Sequence, residues 1–196
     1  NLANTYLDQQ KDFEKIVTES HKALSTYQKI SKIYTQSVPL FRLKHDVEQA
    51  EYLKSKNYKI NGLNEFFDIG KEILCRKENE ENESNFNKEI LLKDSETHSL
   101  LPFYKTKHIY HTPRLPGDSL NPDKDWSQVE MEYTNSAKQI IYIDDFLSKE
   151  AIKEIREFSL ISKVWIHQMP NKYLGAFSDS GFISPLHLQV ATELQK

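Results

Sequence analysis

A single cysteine, Cys75, stands in the whole chain, so no internal disulfide can close and no thiolate-rich zinc site can be assembled. No apolar run approaches membrane-spanning length, and no signal-peptide pattern is present. Neither sign of charge is in large excess: 26 Lys and Arg stand against 29 Asp and Glu, a net charge of -3. Nothing in that balance attracts nucleic acid or an anionic membrane, and neither is expected as a partner. Gly-x-Ser-x-Gly, a phosphate-cradling glycine loop and His-Glu-x-x-His are all missing. The lone thiol fits a reducing compartment, which makes the cytoplasm the expected location. The first residue is Asn1 rather than methionine, so a chain processed or cut from something longer is expected.

What is present begins with helical periodicity, over residues 1–76. In Asn1–Leu24 the order of small and aromatic positions is that of a helical hairpin, and Tyr27, Ile30, Ile33 and Tyr34 continue the pattern. Pro39 ends that run, because the residue before a proline is pushed out of the helical region. A further helix is predicted over Leu40–Lys56, with Leu43, Val47, Ala50 and Leu53 on one face, and another over Ile60–Leu74. Residues 77–98 read as a mobile polar insertion, since Lys77–Lys88 is nearly free of apolar side chains and cannot repay the entropy of ordering. Residues 99–138 read as an extended connection rich in proline and aromatics, ending in a short helix over Trp126–Tyr133.

Residues 139–196 are the most orderly stretch. Ile140-Ile141-Tyr142-Ile143 predicts a mostly buried strand that stops at a turn over Asp144-Asp145. Ser148 is placed as an N-cap, with Leu147 and Ile152 as a hydrophobic staple around it. Lys163–His167 and Lys172–Phe177 predict two strands joined by a turn at Met169-Pro170-Asn171. Ser184 and Pro185 open a last helix as N-cap and first residue.

These motifs carry a resemblance. The strand ending in Ile143-Asp144-Asp145-Phe146-Leu147, Ser162-Lys163-Val164-Trp165, Tyr173–Phe177, Ser180-Gly181-Phe182 and Ser184–Leu194 resemble the segment just upstream of the catalytic core in iron(II)/2-oxoglutarate dioxygenase-like proteins. The resemblance extends back through Asp125-Trp126, Leu120-Asn121-Pro122 and His111–Arg114 to Arg42–Gln49, and so covers most of the chain. Asn1–Leu24 resembles a tetratricopeptide repeat, an element that often comes first in that group. The implied fold class is α+β: a helical, tetratricopeptide-like region, then a small α/β segment resembling the start of a double-stranded β-helix oxygenase domain. Iron(II) and 2-oxoglutarate are implied for the parent protein, and the remainder of that chain is implied as a partner.

The residues themselves offer little chemistry. An iron(II)/2-oxoglutarate site needs two histidines and a carboxylate on one face of the metal. The family's signature is His-x-Asp/Glu, and none of the seven histidines begins it. No catalytic and no metal-binding residue is therefore expected in this chain, and the metal site is expected after Lys196. His108 and His111 stand three apart in an extended segment, which sends their rings to opposite faces. Asp144-Asp145 reads as a turn, and His45-Asp46 as adjacent surface residues on a helix. Trp165, Tyr173 and Phe177 read first as core aromatics and second as the wall of a substrate pocket. Two functions follow: the non-catalytic N-terminal portion of a dioxygenase-like protein, or a tetratricopeptide-type module whose helices grip a protein or peptide.

Overall fold

The computed structural model describes residues 11–24, 36–80, 89–138 and 140–195. Residues 1–10 of the hairpin predicted over residues 1–24, and the helix predicted beyond it to residue 35, lie outside them; residues 11–24 are helical (α1). The architecture is helix-rich α+β with two small two-stranded sheets among the described residues. The chain divides into two compact units that alternate along the sequence. One comprises Asn1–Tyr110 with Ser159–Ile183, the other His111–Phe158 with Ser184–Lys196.

The first unit is built on α2 (Leu40–Ser55), α3 (Leu63–Glu80) and α4 (Asp94–Lys105). Leu43, Val47, Ala50 and Leu53 recur on one face of α2 as their spacing predicts, and all four are buried. They pack with Leu63, Phe66 and Ile73 of α3 and Leu100, Phe103 and Tyr104 of α4 in one core. Phe66 is its centre, its ring 4.3 Å from that of Phe103 and 5.0 Å edge-on to that of Tyr104. Gly70 sets how closely α2 and α3 approach: a Cβ there would stand 2.6 Å from Val47 Cγ2. Two short strands, β1 (Ser37–Pro39) and β2 (Glu89–Leu91), pair antiparallel with Val38 opposite Ile90, and both of those side chains are buried.

Residues 77–98 are therefore not one polar insertion. α3 runs through Lys77 to Glu80, and β2 and the start of α4 occupy the far end. Leu100–Lys105 is helical rather than extended, because α4 has a reason to form that composition hides. The Glu96 carboxylate accepts from the Lys93 main-chain N–H at 2.9 Å and from Arg76 at 2.6 Å, which holds the first turn in place.

The second unit holds α5 (Trp126–Asn135), most of α6 (Lys149–Ile161) and α7 (Pro185–Leu194). Ser148 and Ser184 cap α6 and α7 as predicted, accepting from the N–H groups of Ala151 and His187. The predicted strand over Ile140–Ile143 does not form: these residues are in no sheet, and Ile140 and Tyr142 are 65% and 95% exposed. The other two predicted strands shrink to β3 (His167–Gln168) and β4 (Leu174–Gly175), a short antiparallel pair in the first unit.

The core assignment is testable by chemical denaturation. Phe66→Ala should lower unfolding stability by about 3–5 kcal/mol, whereas Tyr173→Ala, at a side chain 54% exposed, should stay within about 0.5 kcal/mol. Equal losses at the two positions would contradict the placement of the core.

Candidate functional site

Beside its core face, α2 carries a polar stripe at Arg42, His45, Asp46 and Gln49, the i, i+3, i+4, i+7 spacing of one helix surface. Arg42 Nε donates to Asp46 Oδ2 at 2.5 Å, and its Nη1 donates to the Trp165 carbonyl at 2.5 Å. Gln49 Nε2 donates to the carbonyls of Ser162 at 3.0 Å and Leu160 at 3.3 Å. Two residues of one helix, Arg42 and Gln49, thus meet the main chain of Leu160–Trp165, which has no sheet partner of its own to satisfy it. His45 and Asp46 are not independent surface residues: His45 Nδ1 lies 3.0 Å from Asp46 Oδ1, and Asp46 is buried. Side chains that point past each other at their Cβ atoms still meet when the carboxylate is drawn inward by Arg42.

The same stretch contributes Lys163, buried within the first unit. Its Nζ donates to the carbonyls of Thr106 at 2.8 Å and of Phe103, and stands 3.9 Å from the Phe103 ring centroid. Those carbonyls belong to the end of α4 and its cap, where the Phe103 carbonyl also accepts from the Thr106 N–H at 3.2 Å. Burial lowers the Lys163 ammonium to about 7, with Asp46 opposing the shift and Arg42 adding to it. For Asp46 burial acts upward, but Arg42 and His45 together hold its carboxyl below the ordinary value. Burial, then the charge of Lys163, lowers His108.

In the second unit α7 does what α2 does in the first. Gln189 Oε1 accepts from the Leu115 N–H at 2.8 Å, and its Nε2 donates to the Gly117 carbonyl at 2.8 Å. Glu193 Oε2 accepts from the N–H of Ser119 at 2.8 Å, the Ser119 hydroxyl at 2.7 Å and the Leu120 N–H at 3.0 Å. Gln189 Nε2 also holds Glu193 Oε1 at 2.8 Å. Burial would raise the Glu193 pKa, yet these donors keep it below the usual carboxylate value. A cleft of about 690 Å³ lies along this loop, with Asp118, Asp123, Asp145 and Glu150 among its lining residues.

The predicted pocket wall is not assembled. Trp165 is half-buried, donates from Nε1 to the Ser159 carbonyl at 2.8 Å and packs its ring 5.4 Å from that of Phe182. Tyr173 and Phe177 are exposed, Phe177 meeting the His167 ring at 4.8 Å, and none of the three lines the cleft. Asp145 takes a turn conformation with φ 51°, its carbonyl held by Asn121 Nδ2 at 2.9 Å. Among the described residues no three of His, Cys, Asp and Glu come together as a metal would need. The nearest approach, His45 with Asp46, has its carboxylate bound to Arg42, so these residues do not fit an iron site. Gln49, Lys163, Gln189 and Glu193 were not legible as a group, although Gln189 and Glu193 stand four apart on a helix, a spacing that places them side by side.

Comparison with protein-family models, with curated proteins and with solved structures finds no match to this chain.

Lys163 gives the first unit a pH dependence. Its ordinary value of 10.5 applies to the unfolded chain, and the folded value is about 7. Between those limits the unfolded chain holds a proton that the folded protein has released, so stability rises with pH across that window. Equilibrium denaturation at pH values from 7 to 10 should show a rise that Lys163→Met removes, whatever that variant's absolute stability. An identical slope in the two proteins would contradict a buried, titrating Lys163.

Proposed function

We propose that this chain is the non-catalytic N-terminal portion of an iron(II)/2-oxoglutarate-dependent dioxygenase-like protein, following tetratricopeptide repeats and preceding the barrel that hydroxylates a substrate. One observation carries this reading: the stretches that bear the resemblance, far apart in sequence, are bonded to one another. Arg42 and Gln49 hold Leu160, Ser162 and Trp165, and Gln189 and Glu193 of Ser184–Leu194 hold the loop that follows His111–Arg114. A resemblance of accidental origin would scatter over unrelated surfaces. Here its polar residues are committed to fixing backbone, which is the work of a scaffold. Iron(II) and 2-oxoglutarate would be held by residues outside this chain, and the chain's part is to set the walls against which that domain folds. A single free thiol supports a reducing compartment, the cytoplasm, as its location.

Isothermal calorimetry with iron(II) and 2-oxoglutarate under anaerobic conditions tests the reading, using this chain and a longer parent chain. Binding by the longer protein alone is the expected result. Binding by neither would overturn it and leave a tetratricopeptide-type interaction module as the better account.

A further inference from the structure

The cleft of about 690 Å³ lies wholly within the second unit, between residues 115–123 and residues 145–152. Its two walls are fastened to each other. The Ser148 N–H donates to the Ser119 carbonyl at 2.9 Å and the Asn121 N–H to the Phe146 carbonyl at 3.0 Å, beside a bridge between Leu120 and Leu147. Glu193 holds the same loop through the amides of Ser119 and Leu120. The cleft is therefore formed before any ligand arrives, and its volume falls within the range of about 300–1,000 Å³ usual for binding sites.

Its lining is of two kinds. Leu115, Leu147 and Ile152 are apolar, and Ile152 is 49% exposed. With them stand Asp118, Asp123, Asp145 and Glu150, all exposed, and Lys149 is the one basic residue among the described residues of the lining. Among the described residues none of these four carboxylates enters an ion pair or accepts a hydrogen bond. Glu193 is the contrast, its carboxylate committed to backbone donors.

Uncompensated negative charge in a cleft draws cations to it. A single metal ion does not match, because among the described residues no three acidic or other ligating groups come together to hold one. An anion does not match either: the N-terminus of α6 is capped by Ser148 and already complemented by Glu150. Charge spread along apolar walls calls for an occupant whose cations are likewise spread and separated by apolar bulk. A polypeptide segment has that form, since lysine and arginine carry their charge on long stems that reach a rim while a neighbouring side chain is seated below.

We infer that this cleft docks a basic partner segment, an extended peptide that seats a large apolar side chain against Leu115, Leu147 and Ile152 and sets flanking lysines or arginines against the four carboxylates. The apolar anchor supplies affinity, and the charges supply encounter and selectivity. So small a contact is weak and weakens further with salt. This inference does not depend on the proposed function.

Amide NMR on the isotope-labelled chain, titrated with the peptide Lys-Leu-Lys-Leu-Lys, tests it. Saturable shifts confined to residues 115–123 and 145–152 are expected, with Lys-Gly-Lys-Gly-Lys, of equal charge, binding at least about tenfold more weakly. Asp118→Lys and Asp123→Lys should each weaken binding by about fivefold, whereas Glu130→Lys, the same change at an exposed acid outside the cleft, should leave it unchanged. Ile152→Asp adds a carboxylate and removes the anchor, so it should weaken binding where simple charge attraction would strengthen it. No saturable shift up to about 1 mM peptide, shifts lying elsewhere, equal affinity for the two peptides, equal effects of Asp118→Lys and Glu130→Lys, or tighter binding by Ile152→Asp would each overturn the inference.

Discussion

A main-chain group withdrawn from water must find a hydrogen-bond partner, and the described part of this protein has little sheet to provide one. Side chains take that role. From α2, Arg42 and Gln49 reach the carbonyls of Leu160, Ser162 and Trp165, and from α7, Gln189 and Glu193 reach the amides and carbonyl of Leu115–Leu120. Each unit thus has one helix whose apolar face builds packing and whose polar face holds an irregular segment. Ser119 and Gln189 are almost wholly buried in the second case, so neither partner has water as an alternative.

The electrostatics follow from the same need. Two cations, Arg42 and Lys163, are buried in the first unit, and Arg42 is paired with the buried carboxylate of Asp46. Arg42 keeps its charge because the guanidinium cannot be deprotonated in a protein, and it bonds both Asp46 and a carbonyl. Lys163 has carbonyls and a ring instead of a carboxylate, so its charge is the one that burial disfavours. Removing Asp46 would leave Arg42 uncompensated, a far larger penalty than an exposed ion pair carries.

Helices were legible in the sequence where periodicity and caps agreed. α2 and α7 stand where Leu43, Val47, Ala50 and Leu53, and Ser184 with Pro185, placed them. α4 was hidden because Pro102 lies inside it and because its first turn is held by Arg76, twenty residues away in sequence. The strands failed for a different reason. A β-branched run such as Ile140–Ile143 reports fitness for a sheet, but pairing needs a second strand, which local sequence does not announce. Tyr173 and Phe177 misled in the same way, since aromatics in a two-residue ladder have little sheet to be buried by. The polar clamps were the least legible, because a glutamine or lysine destined for a buried carbonyl looks like any surface residue until its partner is known.

Hydrogen exchange tests the central claim most directly, that side chains of α7 and not a sheet hold the Leu115–Leu120 backbone. The Leu115, Ser119 and Leu120 amides should exchange slowly in the native protein, and Glu193→Ala should speed Ser119 and Leu120 while leaving the core amides of α4 protected. Fast exchange in the native protein, or protection that survives the substitution, would contradict the account.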